Sequence, residues 1–330
     1  MGRAVKAENG VDRRGGLICH AHGAGWLRRA GIAPRGKFKR PGGGSKRLEL
    51  PGLSLFAYTQ GMFHRLVKIL ARIKDPLDQG DAFKTLTGDS AARLPAEWLR
   101  VLERDVSFYR ALPRAQRKIL HGLIQQFIRQ KEFWGHLPVT IEMKVYIAAH
   151  ACLMILSIPR LGLFPNAREV IVYPNHFGER VEAIAPDGRV FVVEEKYLGQ
   201  AWHRGPVLLA WDAIAPRQGI VLGHNTIYHE FAHVLDMMDG EVNGAPPLEK
   251  PEMYEPWKQV MTREFESLQA AAQTGRSSFI DPYGAQDPGE FFAVVSEHFF
   301  SQPRRLERLH RGLYGQLKQF YRQDPAQWMA

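Results

Sequence analysis

The pentad His229-Glu230-Phe231-Ala232-His233 constrains this 330-residue chain more than any other feature. Residues four apart on an α-helix lie on one face, about one turn apart, so the two imidazoles can reach one metal ion. A carboxylate directly after the first histidine projects about 100° away around the helix, where it can reach a water molecule instead of the metal. This arrangement is typical of zinc-dependent peptide hydrolysis.

The residues around the pentad predict a helix over about 221–239 that packs one face and directs the other to a metal. The apolar residues repeat at the helical period and are Ile227, Phe231, Val234, Leu235 and Met238. His229, His233 and Asp236 fall on the opposite side. Asp236, one turn beyond His233, is placed to accept a ring N–H from a metal-binding histidine. The alternatives are a surface helix with incidental histidines and, for Asp236, a solvated acid at the helix end.

A catalytic zinc needs a third protein ligand and one open position. Asp239, six residues after His233, is better explained as the end of the helix. Downstream, Asp287 followed by a proline predicts the start of another helix, with Glu290 in its first turn. The spacing leaves Glu290 open between a metal ligand and the third residue of a capping arrangement. Glu297, two turns further along the same face, is the rival ligand.

Longer stretches around these motifs resemble those of a known protein family. The pentad continues to Asp236, and Tyr283-Gly284-Ala285 is followed by the run from Glu290 to Phe300. Further matching stretches are Gly199-Gln200-Ala201-Trp202, Gly205 to Trp211 and Gln319 to Pro325. Across roughly residues 110–326 the chain resembles the Mlc titration factor A family of zinc peptidases, relatives of the catalytic domain of anthrax lethal factor. The N-terminal extension departs from the family pattern.

The resemblance implies roles for individual residues. It implies that His229, His233 and Glu290 bind one Zn²⁺ ion, that Glu230 is the general base, and that Tyr283 donates its hydroxyl near the reacting carbonyl. It also implies a peptide substrate, and the family name implies a Mlc-like transcriptional repressor as a partner. Two function classes follow: a zinc peptidase, of which an aminopeptidase is the narrower form, and a non-catalytic zinc protein that sequesters a repressor. An acid placed to act on a water molecule favours the enzyme, because a structural zinc has no use for it. A structural zinc would also normally close its fourth position with Cys or His.

The order of the predicted elements indicates an α+β, zincin-like metallopeptidase. Strands are predicted at 169–174, 189–195 and 207–211, before the pentad helix, and further helices follow it. A small mixed sheet would then pack against the pentad helix. An exposed sheet edge can pair with an extended peptide through backbone hydrogen bonds. We expect the strand at 207–211 to lie beside the cleft, and the alternative is a buried central strand, because its apolar run does not alternate.

Charge divides the chain into an extension and a domain. Residues 1–48 contain twelve Lys/Arg, two Asp/Glu and eleven of the 31 glycines, so the net charge of +10 lies there. This composition predicts a disordered basic extension, read as a flexible tail, a targeting segment or a start assigned too far upstream. The cluster from Cys19 to His22 within it is a weak metal motif. Residues 49–93 are predicted to be a linker with an amphipathic helix at 62–74, and residues 94–330 the zinc peptidase domain.

Composition and charge also give no support to some function classes. Residues 49–330 carry 32 charges of each sign, so nothing indicates direct nucleic-acid binding through a basic face. The apolar run from Val145 to Ile158 has fourteen residues, too short for a membrane span, and predicts a buried core helix. Two cysteines, too few for a disulfide framework, and the lack of a secretory apolar run predict a cytoplasmic protein.

Overall fold

The computed structural model describes residues 18–22, 94–184, 190–216 and 224–329. The described residues fall into two compact units. The first contains residues 18–22, 94–179, 195–216 and 224–329, and it carries every predicted site residue. The second is represented by residues 180–184 and 190–194, which belong to two paired strands. The predicted linker with its amphipathic helix at 49–93 lies outside the described residues.

Among the described residues, six strands form one mixed sheet with the path β1-β5-β6-β3-β2, and β4 pairs with β5. The strands β2, β3 and β6 run parallel, whereas β5 is antiparallel to both β6 and β1. The strand bounds are β1 Ile18–His22, β2 Glu132–Gly135, β3 Glu169–Tyr173, β4 Phe177–Ile184, β5 Val190–Trp202 and β6 Val207–Ala210. This sheet is combined with helices from other parts of the chain. The prediction of an α+β, zincin-like fold is therefore confirmed.

The helices of the described residues precede and follow the sheet strands. Their bounds are α1 Ala96–Asp105, α2 Arg114–Gln130, α3 Ile141–Ile155, α4 Trp211–Ile214, α5 Thr226–Asp236, α6 Tyr254–Thr274, α7 Pro288–Ser301, α8 Pro303–Leu309 and α9 Arg311–Tyr321. Helix α3 is buried on all sides from Val145 to its end, as the unbroken apolar run predicts. In the described part of the chain, no helix is both long and apolar enough to cross a membrane.

The strand β6 does not lie at the sheet edge, so the prediction that it borders the cleft is wrong. It pairs with β3 on one side and β5 on the other, and all four of its residues are buried. An apolar run without alternation fits a strand that is covered on both faces. Trp211 is not part of this strand, because it begins α4.

Five residues of the extension predicted to be disordered form a strand instead. Ile18–His22 pairs antiparallel with β5, opposite residues from Tyr197 to Trp202. Composition measures how much apolar surface a segment can bury, whereas edge pairing depends on backbone groups that every sequence carries. A composition argument therefore does not detect such a strand. The remainder of residues 1–48 lies outside the described residues.

A buried lysine gives the fold a pH dependence. Lys131 is only 7% exposed, and its Nζ donates hydrogen bonds to the backbone carbonyls of Phe164 at 2.7 Å and Ala167 at 2.5 Å. Burial lowers its pKa from the ordinary lysine value to about 7. The unfolded chain therefore binds more protons between about pH 7 and 10, and this residue makes the free energy of unfolding rise with pH in that window.

We expect Lys131→Met to lose this rise, by on the order of 1–3 kcal/mol between pH 7 and 9.5. Urea unfolding at the two pH values measures it. Lys250→Met, at an exposed position, is the control and should retain the parent's dependence. Equal pH slopes for Lys131→Met and the parent would contradict the assignment.

Candidate metal centre

The pentad lies on α5, whose start is set by a side-chain cap. The Asn225 side chain accepts hydrogen bonds from the amides of Ile227 at 3.1 Å and Tyr228 at 3.3 Å, which satisfies two free donors of the first turn. All eleven residues of α5 are buried, with His229 at 3% and His233 at 0% exposure. A surface helix with incidental histidines is therefore excluded.

Helix α7 supplies the acid that faces these histidines. Asp287 caps the helix by accepting the Glu290 amide at 2.9 Å, and Pro288 occupies its first turn. The Glu290 side chain is directed toward the two histidines. It extends to α5, where its Oε2 lies 3.0 Å from His229 Nε2 and 3.4 Å from His233 Nε2.

The three side chains form one buried cluster. The Nε2 atoms of His229 and His233 are 3.1 Å apart, and one ligand atom from each residue of the group lies within 4.8 Å of the others. Ligand atoms around one tetrahedral zinc are roughly 3.3 Å apart when each bond is about 2.0–2.1 Å. Two imidazoles and one carboxylate also form a donor set that zinc accepts. The residues present therefore fit a zinc ion.

Charge at the cluster favours an ionised Glu290. Burial alone would raise the pKa of this carboxyl group, but His233 and His229 hold that pKa well below its ordinary value. The acid therefore offers a negatively charged oxygen, the form in which a carboxylate binds a cation.

Glu230 points elsewhere, as its position directly after His229 requires. Its side chain is fully buried, and neither carboxylate oxygen has a hydrogen-bond partner among the described residues. Burial raises its pKa to about 8, against the lowering effect of the two histidines. The backbone of β5 approaches it closely at Gly199, where an added Cβ would lie 2.7 Å from Glu230 Cδ. An unpartnered buried carboxylate with a raised pKa beside a candidate metal group is the kind of side chain that can accept a proton.

Glu297, the rival ligand, lies behind His229 and outside the three-residue group. Its Oε1 is 2.7 Å from His229 Nδ1, and its Oε2 accepts the Asn225 amide at 2.6 Å. When Nδ1 donates to this carboxylate, Nε2 keeps its lone pair for a metal. The seven-residue spacing from Glu290 places both acids on one helix face. The spacing therefore indicates that both face the same side, but it does not distinguish their roles.

The other two predicted site residues lie close by. Tyr283 is in the short 3₁₀ helix Pro282–Ala285, where its amide donates to Asp281 at 2.7 Å and its ring centroid is 5.8 Å from that of His229. Asp236 is fully buried and accepts the Gly244 amide at 2.9 Å. Burial raises the pKa of Asp236 to about 7, and the charge of His233 acts against this. That Asp236 accepts a ring N–H from one of the two histidines stays a prediction.

One further contact was not foreseen from the sequence. His224 Nε2 lies 3.1 Å from Asp281 Oδ2, and this hydrogen bond raises the pKa of His224. Asp281 thus ties the segment before α5 to the turn that carries Tyr283. The available signal was the Asp-Pro dipeptide at 281–282, the same helix-start signature as at 287–288.

Comparisons with known proteins find similarity along most of the chain. The family model described as glucose-regulated metallo-peptidase M90 matches residues 84–322. An uncharacterized protein of Synechocystis sp. is 38% identical over 239 residues, covering 70% of this chain and 86% of that protein. A Mlc titration factor A of Pectobacterium atrosepticum is 35% identical over 211 residues, covering 62% and 78%. One from Yersinia pestis is 30% identical over 239 residues, covering 71% and 87%.

Proposed function

Because the chain belongs to the glucose-regulated metallo-peptidase M90 family, we propose that it is a zinc-dependent peptidase of the HExxH type, with one zinc ion per chain. The observation that carries the proposal is the convergence of His229, His233 and Glu290 next to the unpartnered carboxylate of Glu230. A purely structural zinc has no use for such an acid.

His229, His233 and Glu290 would hold the zinc, which when bound supplies Lewis acidity toward water and the substrate carbonyl. Glu230 accepts a proton from the attacking water and delivers it to the leaving amine. The Tyr283 hydroxyl donates to the carbonyl oxygen as negative charge develops there. Glu297 orients His229 from behind, and Asp236 is proposed to do the same for His233.

The substrate is proposed to be a peptide in a cytoplasmic setting, and residues 94–330 are proposed to form the peptidase domain. Aminopeptidase character is the narrower form of the proposal. It predicts that amino-acid anilides with a free α-amino group are cleaved and that their N-acetylated counterparts are not.

The name of the Mlc titration factor A relatives supports a second candidate function. In it, the chain sequesters a Mlc-like transcriptional repressor and its zinc is not catalytic. Such a protein captures the repressor and cleaves no peptide, and Glu230→Gln leaves the capture unchanged.

The deciding measurement combines zinc content with hydrolysis of a panel of amino-acid and peptide anilides, with and without a chelator. We expect one zinc per chain, cleavage by the metal-loaded protein, and loss of cleavage on chelation that added zinc restores. A fully zinc-loaded chain that cleaves no member of a broad panel would leave the binding protein as the better candidate.

Tyr283→Phe tests the hydroxyl. We expect the variant to retain its zinc and to lose about 10²-fold in kcat, because a single donor to the developing oxyanion typically contributes that much. Steady-state kinetics and metal analysis measure both. Tyr254→Phe, at a tyrosine exposed on the surface, is the matched control and should keep the parent's rate. An unchanged kcat in Tyr283→Phe would remove this residue from the mechanism.

A further inference from the structure

The outer edge of β5 beside the metal centre is occupied by the chain's own N-terminal segment. Residues Ile18–His22 pair antiparallel with this edge, while β6 pairs with the opposite edge of β5. In the register, Cys19 lies opposite Ala201, and Ala21 lies opposite Gly199. The segment is thus held as an extended peptide along one strand.

This edge is next to the proposed proton acceptor. Gly199, opposite Ala21, is the residue whose backbone approaches the carboxylate of Glu230. Neighbouring strands lie about 4.8 Å apart, so β1 is a single strand spacing from that point of contact. It also lies in contact with α5, the helix that carries both histidines. An extended peptide bound on the same edge would take the same backbone positions.

We propose that residues 18–22 are an intramolecular occupant of the peptide-binding edge of β5 and compete there with peptide substrates. The proposal rests on the proposed function, since it names the site at which that substrate binds. Backbone pairing accepts segments of many sequences, so one edge can hold both the chain's own segment and a substrate. A tethered segment needs less affinity than a free peptide, because its pairing with the edge is intramolecular.

The first test is a disulfide that reports on pairing without any catalysis. Opposite residues of an antiparallel pair have Cα atoms about 4.5–5.5 Å apart, within the range of disulfides. We expect Ala201→Cys in the full chain to form a disulfide with the native Cys19 on mild oxidation, detected by mass spectrometry of unreduced peptides. Gln200→Cys is the control, because a shift of one residue moves the side chain to the other face of the sheet. Cys152 is fully buried and should not compete.

The second test measures competition. Residues His20 and Ala21 are consecutive, so one of them directs its amide toward β5. Replacing both with proline removes that donor and disfavours the strand, whereas replacing both with serine keeps both amides. If the segment occupies the edge nine-tenths of the time, the proline variant should show a KM about tenfold lower with kcat unchanged, and the serine variant the parent's KM.

A binding measurement separates this proposal from the proposed function. The probe is a fluorescein-labelled peptide with the sequence of residues 16–24 and serine in place of its cysteine. Its anisotropy should report tighter binding to the zinc-loaded proline variant than to the parent, and none to oxidised Ala201→Cys. If nothing is cleaved by any variant but the disulfide and the binding order hold, the peptidase proposal fails and the occupied edge stands. No selective disulfide, or equal peptide binding by the proline and serine variants, would overturn the occupant.

Discussion

Replacing Glu230 with glutamine is expected to remove most peptide hydrolysis and to leave both zinc and fold in place. Glu230 is fully buried, lies outside the three-residue metal group and has no hydrogen-bond partner among the described residues. Glutamine has nearly the same shape but cannot accept a proton from water. General-base catalysis typically contributes about 10²–10⁴-fold, so kcat/KM should fall by that factor.

The measurement needs three readouts on one preparation: kcat/KM on a cleaved anilide, zinc per chain, and thermal unfolding. Glu264→Gln is the matched control, since Glu264 is a partly buried acid on α6 whose carboxylate pairs with His310 at 2.9 Å. It should keep the parent's zinc and rate. A Glu230→Gln variant that still cleaves at the parent's rate would contradict the role, and one that loses its zinc would indicate that the residue acts on the metal.

Local signals explain why much of the centre could be predicted from the sequence. The i, i+4 histidines share a helix face wherever the helix forms, and the segment around them has its own cap in Asn225. Asp287 followed by proline likewise places the start of α7 correctly. These features depend on residues a few positions apart. The pairing of α5 with α7 came instead from the resemblance to a family, because spacing alone left Glu290 and Glu297 as rivals.

Features that depend on distant partners were missed or misplaced. The strand β6 was expected at an edge, but its position is set by β3 and β5, which lie elsewhere in the chain. The strand β1 has a composition that indicates disorder, yet it pairs through its backbone with β5. The close approach of Gly199 to Glu230 exists only once the sheet is packed against α5. No pattern within one segment contains such contacts.

Replacing each of the two acids of α7 with glutamine should change zinc affinity by very different amounts. In Glu290→Gln the metal group loses its only charged oxygen, and an amide is a poor substitute for a carboxylate that the histidines keep ionised. In Glu297→Gln the ligand atoms all remain, and only the acceptor behind His229 Nδ1 is weakened. Loss of such a supporting contact typically costs 10–100-fold in metal affinity, so Glu290→Gln should exceed that range.

Competition with a chelator of known zinc affinity measures both variants, and Asp239→Asn is the control. Asp239 lies exposed at the end of the helical segment after α5 and outside the three-residue metal group, so its amide variant should bind zinc like the parent. The order of affinities should be parent and Asp239→Asn first, Glu297→Gln next and Glu290→Gln last. If Glu297→Gln alone releases the metal, then Glu297 is the third ligand, and the carboxylate behind His229 must move to the metal side when zinc binds.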